Sequence, residues 1–93
     1  MTVKEIYEKL EQFNDNDRAR YAGGLCKILT PISMQTLMHF QNSWDGNKSP
    51  EDFFEAQAQE IKSCVELEIG SAGQVIREIA GLKPLTWETE IAA

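Results

Sequence analysis

The chain has 93 residues, enough for one domain with a buried core and too few for two independent cores. Hydrophobic residues make up 42% of it and charged residues 26%, a balance typical of a folded domain and not of a disordered chain. The net charge of -6 repels phosphate backbones and anionic lipids. The composition therefore disfavours direct binding to nucleic acid or to a membrane, and favours a protein partner with a basic or an apolar surface.

The polar run 14–17 ends the pattern of the first predicted helix, making a turn and then the start of the second. Thr2 can cap the first helix, and Glu5 completes a capping box. Its apolar side consists of Val3, Ile6, Tyr7, Leu10 and Phe13. The second helix is expected over about residues 16–29. Gly23-Gly24 lies inside this helix, where each glycine destabilises the helix by about 1 kcal/mol relative to alanine. Either the helix breaks there or another helix approaches closely, and close approach is favoured.

Two prolines mark the starts of the third and fourth helices. Thr30-Pro31 and Ser49-Pro50 each place a hydroxyl cap before a proline suited to the first helical turn. The third helix is expected to end near Trp44, with residues 45–48 as its glycine- and asparagine-containing stop. The apolar side of the fourth helix consists of Phe53, Phe54, Ala58, Ile61, Cys64, Val65 and Ile69. Its opposite side carries Asp52, Glu55 and Glu66.

The end of the chain predicts one more short helix and an extended tail. Gly70 can end the fourth helix, and Ser71 can cap a fifth that Gly81 and Pro84 finish. Residues 85–91 alternate with a period of two, which is typical of a strand. A lone strand either lies across the bundle, burying Trp87, or pairs with another chain. The sequence thus predicts an all-α bundle over residues 1–84, with four main helices and a short fifth, and an extended C-terminal tail over 85–93.

The sequence provides no group of residues suited to catalysis or to metal binding. His39 is the single histidine and is expected to be solvated, without a second ligand at a zinc-binding spacing. Cys26 and Cys64 are interpreted as buried hydrophobic residues, not as a disulfide. The oxygen-rich runs 15–17 and 45–51 lack the twelfth-position glutamate of a calcium loop. Arg18 and Arg20 are interpreted as ion-paired with nearby carboxylates. We expect no enzyme activity, no metal and no cofactor.

Glu68 is the polar exception on the apolar side of the fourth helix. A carboxylate in that position needs a partner. In one interpretation it reaches water or Arg77 near the helix end, and in the other it meets a cation of a partner chain or of a pocket. An enzyme that uses Glu68 with Arg77 has little support, because a carboxylate and an arginine specify no reaction.

The leading functional hypothesis is a small, acidic, non-catalytic protein-binding module with a regulatory or adaptor role, and a homodimer is one arrangement it allows. The candidate partner-binding residues are Trp87, Leu85, Ile91, Glu68, Asp52, Glu55 and Glu66. In the alternative hypothesis, Asp52, Glu55 and Glu66 form a negative array that imitates phosphates and inhibits a nucleic-acid-binding enzyme. The first residues lack the apolar run of a secretion signal, so a cytoplasmic location is expected.

Overall fold

The helix starts that the sequence predicts from its capping residues are largely confirmed. The computed structural model describes residues 1–44 and 49–92. Thr2 and Glu5 form a complete capping box at α1 (Val3–Lys9), Thr30 caps α3 (Pro31–Ser43) and Ser49 caps α4 (Pro50–Ile69). The expected cap at Ser71 is wrong, because Ser71 is already the first residue of α5 (Ser71–Ile79) and Gly70 precedes it without a side-chain cap. Residues 45–48, the predicted stop of the third helix, lie outside the described residues.

The second helix, α2, is continuous through its two glycines. It consists of the α-helical turn Asp15–Asp17, a π-helical segment Arg18–Ala22 and the α-helical segment Gly23–Ile28. A Cβ on Gly24 would lie 2.9 Å from the carbonyl oxygen of Ala92, whereas a Cβ on Gly23 would meet nothing within 4 Å. The helix therefore does not break, and the chain approaches closely at Gly24, but the expectation that another helix makes this approach is wrong, because the approaching segment is the C-terminal tail.

The protein is an all-α domain with one apolar core. Its buried hydrophobic residues are Val3, Ile6, Leu10, Ala22, Leu25, Leu29, Leu37, Ala58, Ile61, Cys64, Val65, Leu85 and Ile91. Phe40 of α3 stacks on Phe53 of α4, with 5.8 Å between the ring centroids. The molecule measures 39 × 26 × 17 Å, so it is about two helix layers thick. A helix in either layer therefore packs against the other layer on one side and faces solvent on the other. No described helix has the length and apolar character needed to cross a lipid bilayer.

The C-terminal segment lies across its own bundle along α1. The amide of Val3 donates to the carbonyl of Thr89 over 2.9 Å, and the amide of Lys4 donates to the carbonyl of Trp87 over 3.0 Å. These two N–H groups belong to the first turn of α1, which has no partner for them within the helix. Leu85 and Ile91 are 1% and 5% exposed. The tail therefore completes both the helix start and the core.

Candidate functional site

Helix α5 leaves large apolar side chains in solvent while it buries a glycine and an arginine. Val75 and Ile79 are 56% and 82% exposed. They lie four residues apart and therefore on one face, which exposed Ala72 shares. Gly73 and Arg77 lie on the other side and are buried. A surface helix normally does the reverse. We call Ala72, Val75 and Ile79 the α5 stripe; no described residue covers it.

A buried ion pair holds α5 in this orientation. Nη1 of Arg77 lies 2.6 Å from Oε1 of Glu68 and also donates to the carbonyl of Ile28 over 2.9 Å. The other carboxylate oxygen of Glu68 accepts from the Thr30 amide over 3.0 Å and from the Ser33 hydroxyl. Glu68 and Arg77 are only 2% and 4% exposed. Their pairing confirms the interpretation in which Glu68 reaches Arg77 of its own chain. It corrects the expectation that Glu68 contacts a partner.

Gly73 lets α5 lie directly on the backbone of α4. A Cβ at this position would lie 1.9 Å from the carbonyl oxygen of Leu67 and 2.4 Å from the Cα of Glu68. No rotamer change relieves a contact between backbone atoms, so a larger residue must move the whole helix. Glycine at this position and the Glu68–Arg77 pair together fix the face that α5 presents to solvent.

A groove of about 500 Å³ adjoins the α5 stripe. Its lining residues are Gln74, Val75, Glu78, Leu82 and Pro84. The Gln74 side chain donates to the Leu85 carbonyl over 2.6 Å and accepts from the Leu85 amide over 3.3 Å. This double contact holds the loop after α5 against the helix. Stripe and groove therefore form one surface with a fixed shape.

A second cleft, of about 350 Å³, lies where the tail crosses α1. We call it the Trp87 cleft; its lining residues are Lys4, Tyr7, Glu8, Trp87 and Glu88. The half-buried Trp87 ring meets Tyr7 edge-on, with 5.0 Å between the centroids. The Tyr7 hydroxyl donates to Glu66, and this bond raises the pKa of Tyr7. Of the three tail candidates, only Trp87 stays accessible, because Leu85 and Ile91 are core residues and are corrected to that role.

The predicted acidic array is divided between two places. Asp52 and Glu55 are exposed near the start of α4 and line a cleft of about 430 Å³ with Trp44 and Ala56. Glu66 lies near the other end of the same helix, about 21 Å from Asp52 along the helix axis at 1.5 Å per residue. It is also engaged by the Tyr7 hydroxyl. The structure therefore leaves Asp52 and Glu55 as neighbours and separates Glu66 from them.

A further cleft, of about 560 Å³, contains Arg18 and several carboxylates. Nη1 of Arg18 lies 3.2 Å from Asp15, and Nη2 donates to the Phe13 carbonyl over 2.9 Å. The guanidinium also stacks 4.4 Å above the Phe54 ring, and its Nε is buried without a hydrogen-bond partner among the described residues. The interpretation of Arg18 as an ion-paired residue is thus confirmed.

Cys64 is buried as expected, whereas Cys26 is only half-buried. Cys26 and Cys64 are free thiols. Burial raises the pKa of the Cys26 thiol, and neighbouring Cys64 adds to this. Burial likewise raises the pKa of Cys64. A raised pKa disfavours the reactive thiolate at neutral pH. His39 is exposed, and no three His, Cys, Asp or Glu side chains in residues 1–44 and 49–92 are grouped to hold a metal ion.

The α5 stripe is the surface that sequence reasoning missed. The spacing of Val75 and Ile79 predicts one apolar face, but the same spacing describes a core face and an exposed one. Gly73 and Arg77, four residues apart on the other side, were the available signal that this side packs. No family model matches the chain, and no curated protein and no solved structure is significantly similar to it.

Proposed function

We propose that the chain is a non-catalytic protein-binding module and that the α5 stripe is its main contact surface. The observation that supports this is the inversion of α5, which leaves Val75 and Ile79 in water. Burying apolar surface is favourable by roughly 25 cal/mol per Å². Contiguous apolar surface on a soluble protein is typical of an interaction site. A partner that covers the α5 stripe would remove from water the apolar surface that the domain itself leaves exposed.

The anchoring of α5 also favours a binding role. Arg77 and Gly73 hold the helix on α4, and Gln74 holds the following loop. A surface that is already rigid loses little conformational entropy on association. Glu78, exposed beside the stripe, adds a negative flank to the apolar centre. The complementary partner surface is therefore apolar with a basic edge, on a second copy of this chain or on another protein.

The double variant Val75→Glu with Ile79→Glu tests this function. We expect it to weaken association at least about tenfold, since two carboxylates would have to be desolvated at the contact centre. Sedimentation velocity measures self-association. For another partner, a photo-crosslinking residue at position 79 in the native host reports the contact. Stability to urea should change by less than about 0.5 kcal/mol, because both side chains are exposed.

Position 38 provides the matched control for these measurements. Met38 is 57% exposed, nearly the same fraction as Val75, but it belongs to α3 and not to the α5 stripe. Met38→Glu should leave association unchanged, and a crosslinker at position 38 should give no discrete product. Equal behaviour at positions 38 and 79, together with a monomeric parent protein, would contradict the proposal.

A second function, inhibition of a nucleic-acid-binding enzyme, is supported by the exposed acidic start of α4. Asp52 and Glu55 both line the cleft of about 430 Å³, and Glu55 also lines the cleft of about 560 Å³ on its other side. Asp52→Lys with Glu55→Lys should abolish inhibition of such an enzyme, and inhibition by the parent should weaken steeply with salt. Glu60→Lys with Glu78→Lys makes the same charge change elsewhere as a control. This function would be excluded if the Asp52→Lys, Glu55→Lys variant still inhibited the enzyme. It would also be excluded if the parent protein did not inhibit it.

A further inference from the structure

We propose that the Trp87 cleft binds a lysine or arginine side chain of a partner protein. The cleft includes none of the residues of the α5 stripe, so this inference goes beyond the proposed function. It depends on three features of the cleft: an open indole ring, two unpaired carboxylates and a nearby aromatic ring that already holds a cation.

The Trp87 indole is fixed in place but incompletely used. Its backbone carbonyl accepts from the Lys4 amide over 3.0 Å, and its ring meets Tyr7 edge-on. The indole N–H makes no hydrogen bond with any described residue. Tryptophan is the strongest of the aromatic side chains as a partner for a cation. The cleft thus has a rigid aromatic wall and a free donor at its edge.

Tyr7 shows how this aromatic pair accommodates a cation. Nζ of Lys62 lies 5.0 Å from the centroid of the Tyr7 ring, within the range of a cation–π interaction. No described cationic group lies over the Trp87 ring in the same way. The pair therefore has one ring occupied by a lysine of its own chain and one ring open to the cleft.

The charges around the cleft favour a cation over an anion. Glu8 and Glu88 are exposed, and neither forms an ion pair with a described residue. Lys4 is the one basic side chain in the lining, so these three groups sum to -1. Glu66, the other nearby carboxylate, is bound by the Tyr7 hydroxyl. A guanidinium or ammonium group over Trp87 would be attracted by two carboxylates of the lining; Lys4 opposes it, and so does Lys62, which is already paired with Glu11.

Titration with short peptides tests this site directly. In a Trp44→Phe background, the indole N–H resonance of Trp87 is followed while acetyl-Gly-Arg-Gly-amide is added. The matched neutral probe replaces arginine with citrulline, which keeps the shape and removes the charge. We expect saturable shifts with the arginine peptide that shrink with salt, and affinity for the citrulline peptide at least about threefold weaker. A lysine peptide tests the ammonium group in the same way.

Variants of the lining identify which groups bind the peptide. Glu8→Gln with Glu88→Gln should weaken binding of the arginine peptide about twofold to tenfold, whereas Lys4→Met should strengthen it. Glu51→Gln with Glu55→Gln removes the same amount of charge far from the cleft. This control should change the affinity only through the smaller net charge of the protein, and therefore by less than the Glu8 and Glu88 pair. Val75→Glu with Ile79→Glu should leave peptide binding intact, which separates this site from the α5 stripe.

Three results would overturn the proposal. The first is a Trp87 resonance that does not move with arginine or lysine peptides at low salt. The second is equal affinity for the citrulline peptide, which would indicate a site for apolar or amide groups. The third is equal weakening by the Glu8 and Glu88 pair and by the Glu51 and Glu55 pair, which would indicate attraction by net charge alone.

Discussion

Gly73→Ala is expected to lower the free energy of unfolding by about 3 kcal/mol, near the upper end for overpacked sites. The added Cβ would lie 1.9 Å from the Leu67 carbonyl oxygen and 2.4 Å from the Cα of Glu68. Both atoms belong to the backbone of α4, so the conflict is relieved only if α5 moves away. That movement would also lengthen the contact between Arg77 and Glu68. Urea unfolding followed by circular dichroism measures the change.

Gly23→Ala is the matched control for this substitution. Gly23 also lies in a helix, but a Cβ there would meet nothing within 4 Å. Alanine in that place should stabilise the protein by about 0.5–1 kcal/mol, because it restricts the unfolded chain and favours the helix. If Gly73→Ala were as well tolerated as Gly23→Ala, α5 would not lie on the α4 backbone as described.

Local signals explain why most helix starts could be predicted. A hydroxyl cap followed by proline acts on neighbouring residues, so Thr30-Pro31 and Ser49-Pro50 specify their helices without help from the rest of the chain. The capping box of Thr2 and Glu5 is equally local. The end of α1 at Lys9 was not predicted, because the apolar spacing continues to Phe13 while the backbone already turns.

The orientation of α5 and the path of the tail depend on distant contacts and could not be predicted in full. Periodicity identifies the apolar side of α5 but carries no information on which neighbour, if any, covers it. The apolar surroundings of Glu68 predict that it needs a partner, and the sequence offers Arg77 as one candidate, which the structure confirms. The link from α1 amides to the carbonyls of Trp87 and Thr89 joins the two ends of the chain, and no local pattern indicates it.

The second large effect is expected at the Glu68–Arg77 pair. Glu68→Leu or Arg77→Met should each lower the free energy of unfolding by about 3–5 kcal/mol, since each leaves one buried charge without its partner. Asp15→Asn breaks the exposed contact to Arg18 and is the control, with an expected change below about 1 kcal/mol. Chemical unfolding of the three variants under one buffer condition gives the comparison.

The double variant Glu68→Leu with Arg77→Met distinguishes two roles of the pair. Removing both charges avoids the unpaired ion, so the double variant should be more stable than the sum of the single effects implies. It should remain less stable than the parent, because the Thr30 amide and the Ser33 hydroxyl lose the carboxylate that accepts from them. Strictly additive losses would mean that the two side chains act independently, contrary to the 2.6 Å contact between them. Full recovery would instead mean that α3 begins equally well without Glu68, and that the carboxylate serves the orientation of α5 alone.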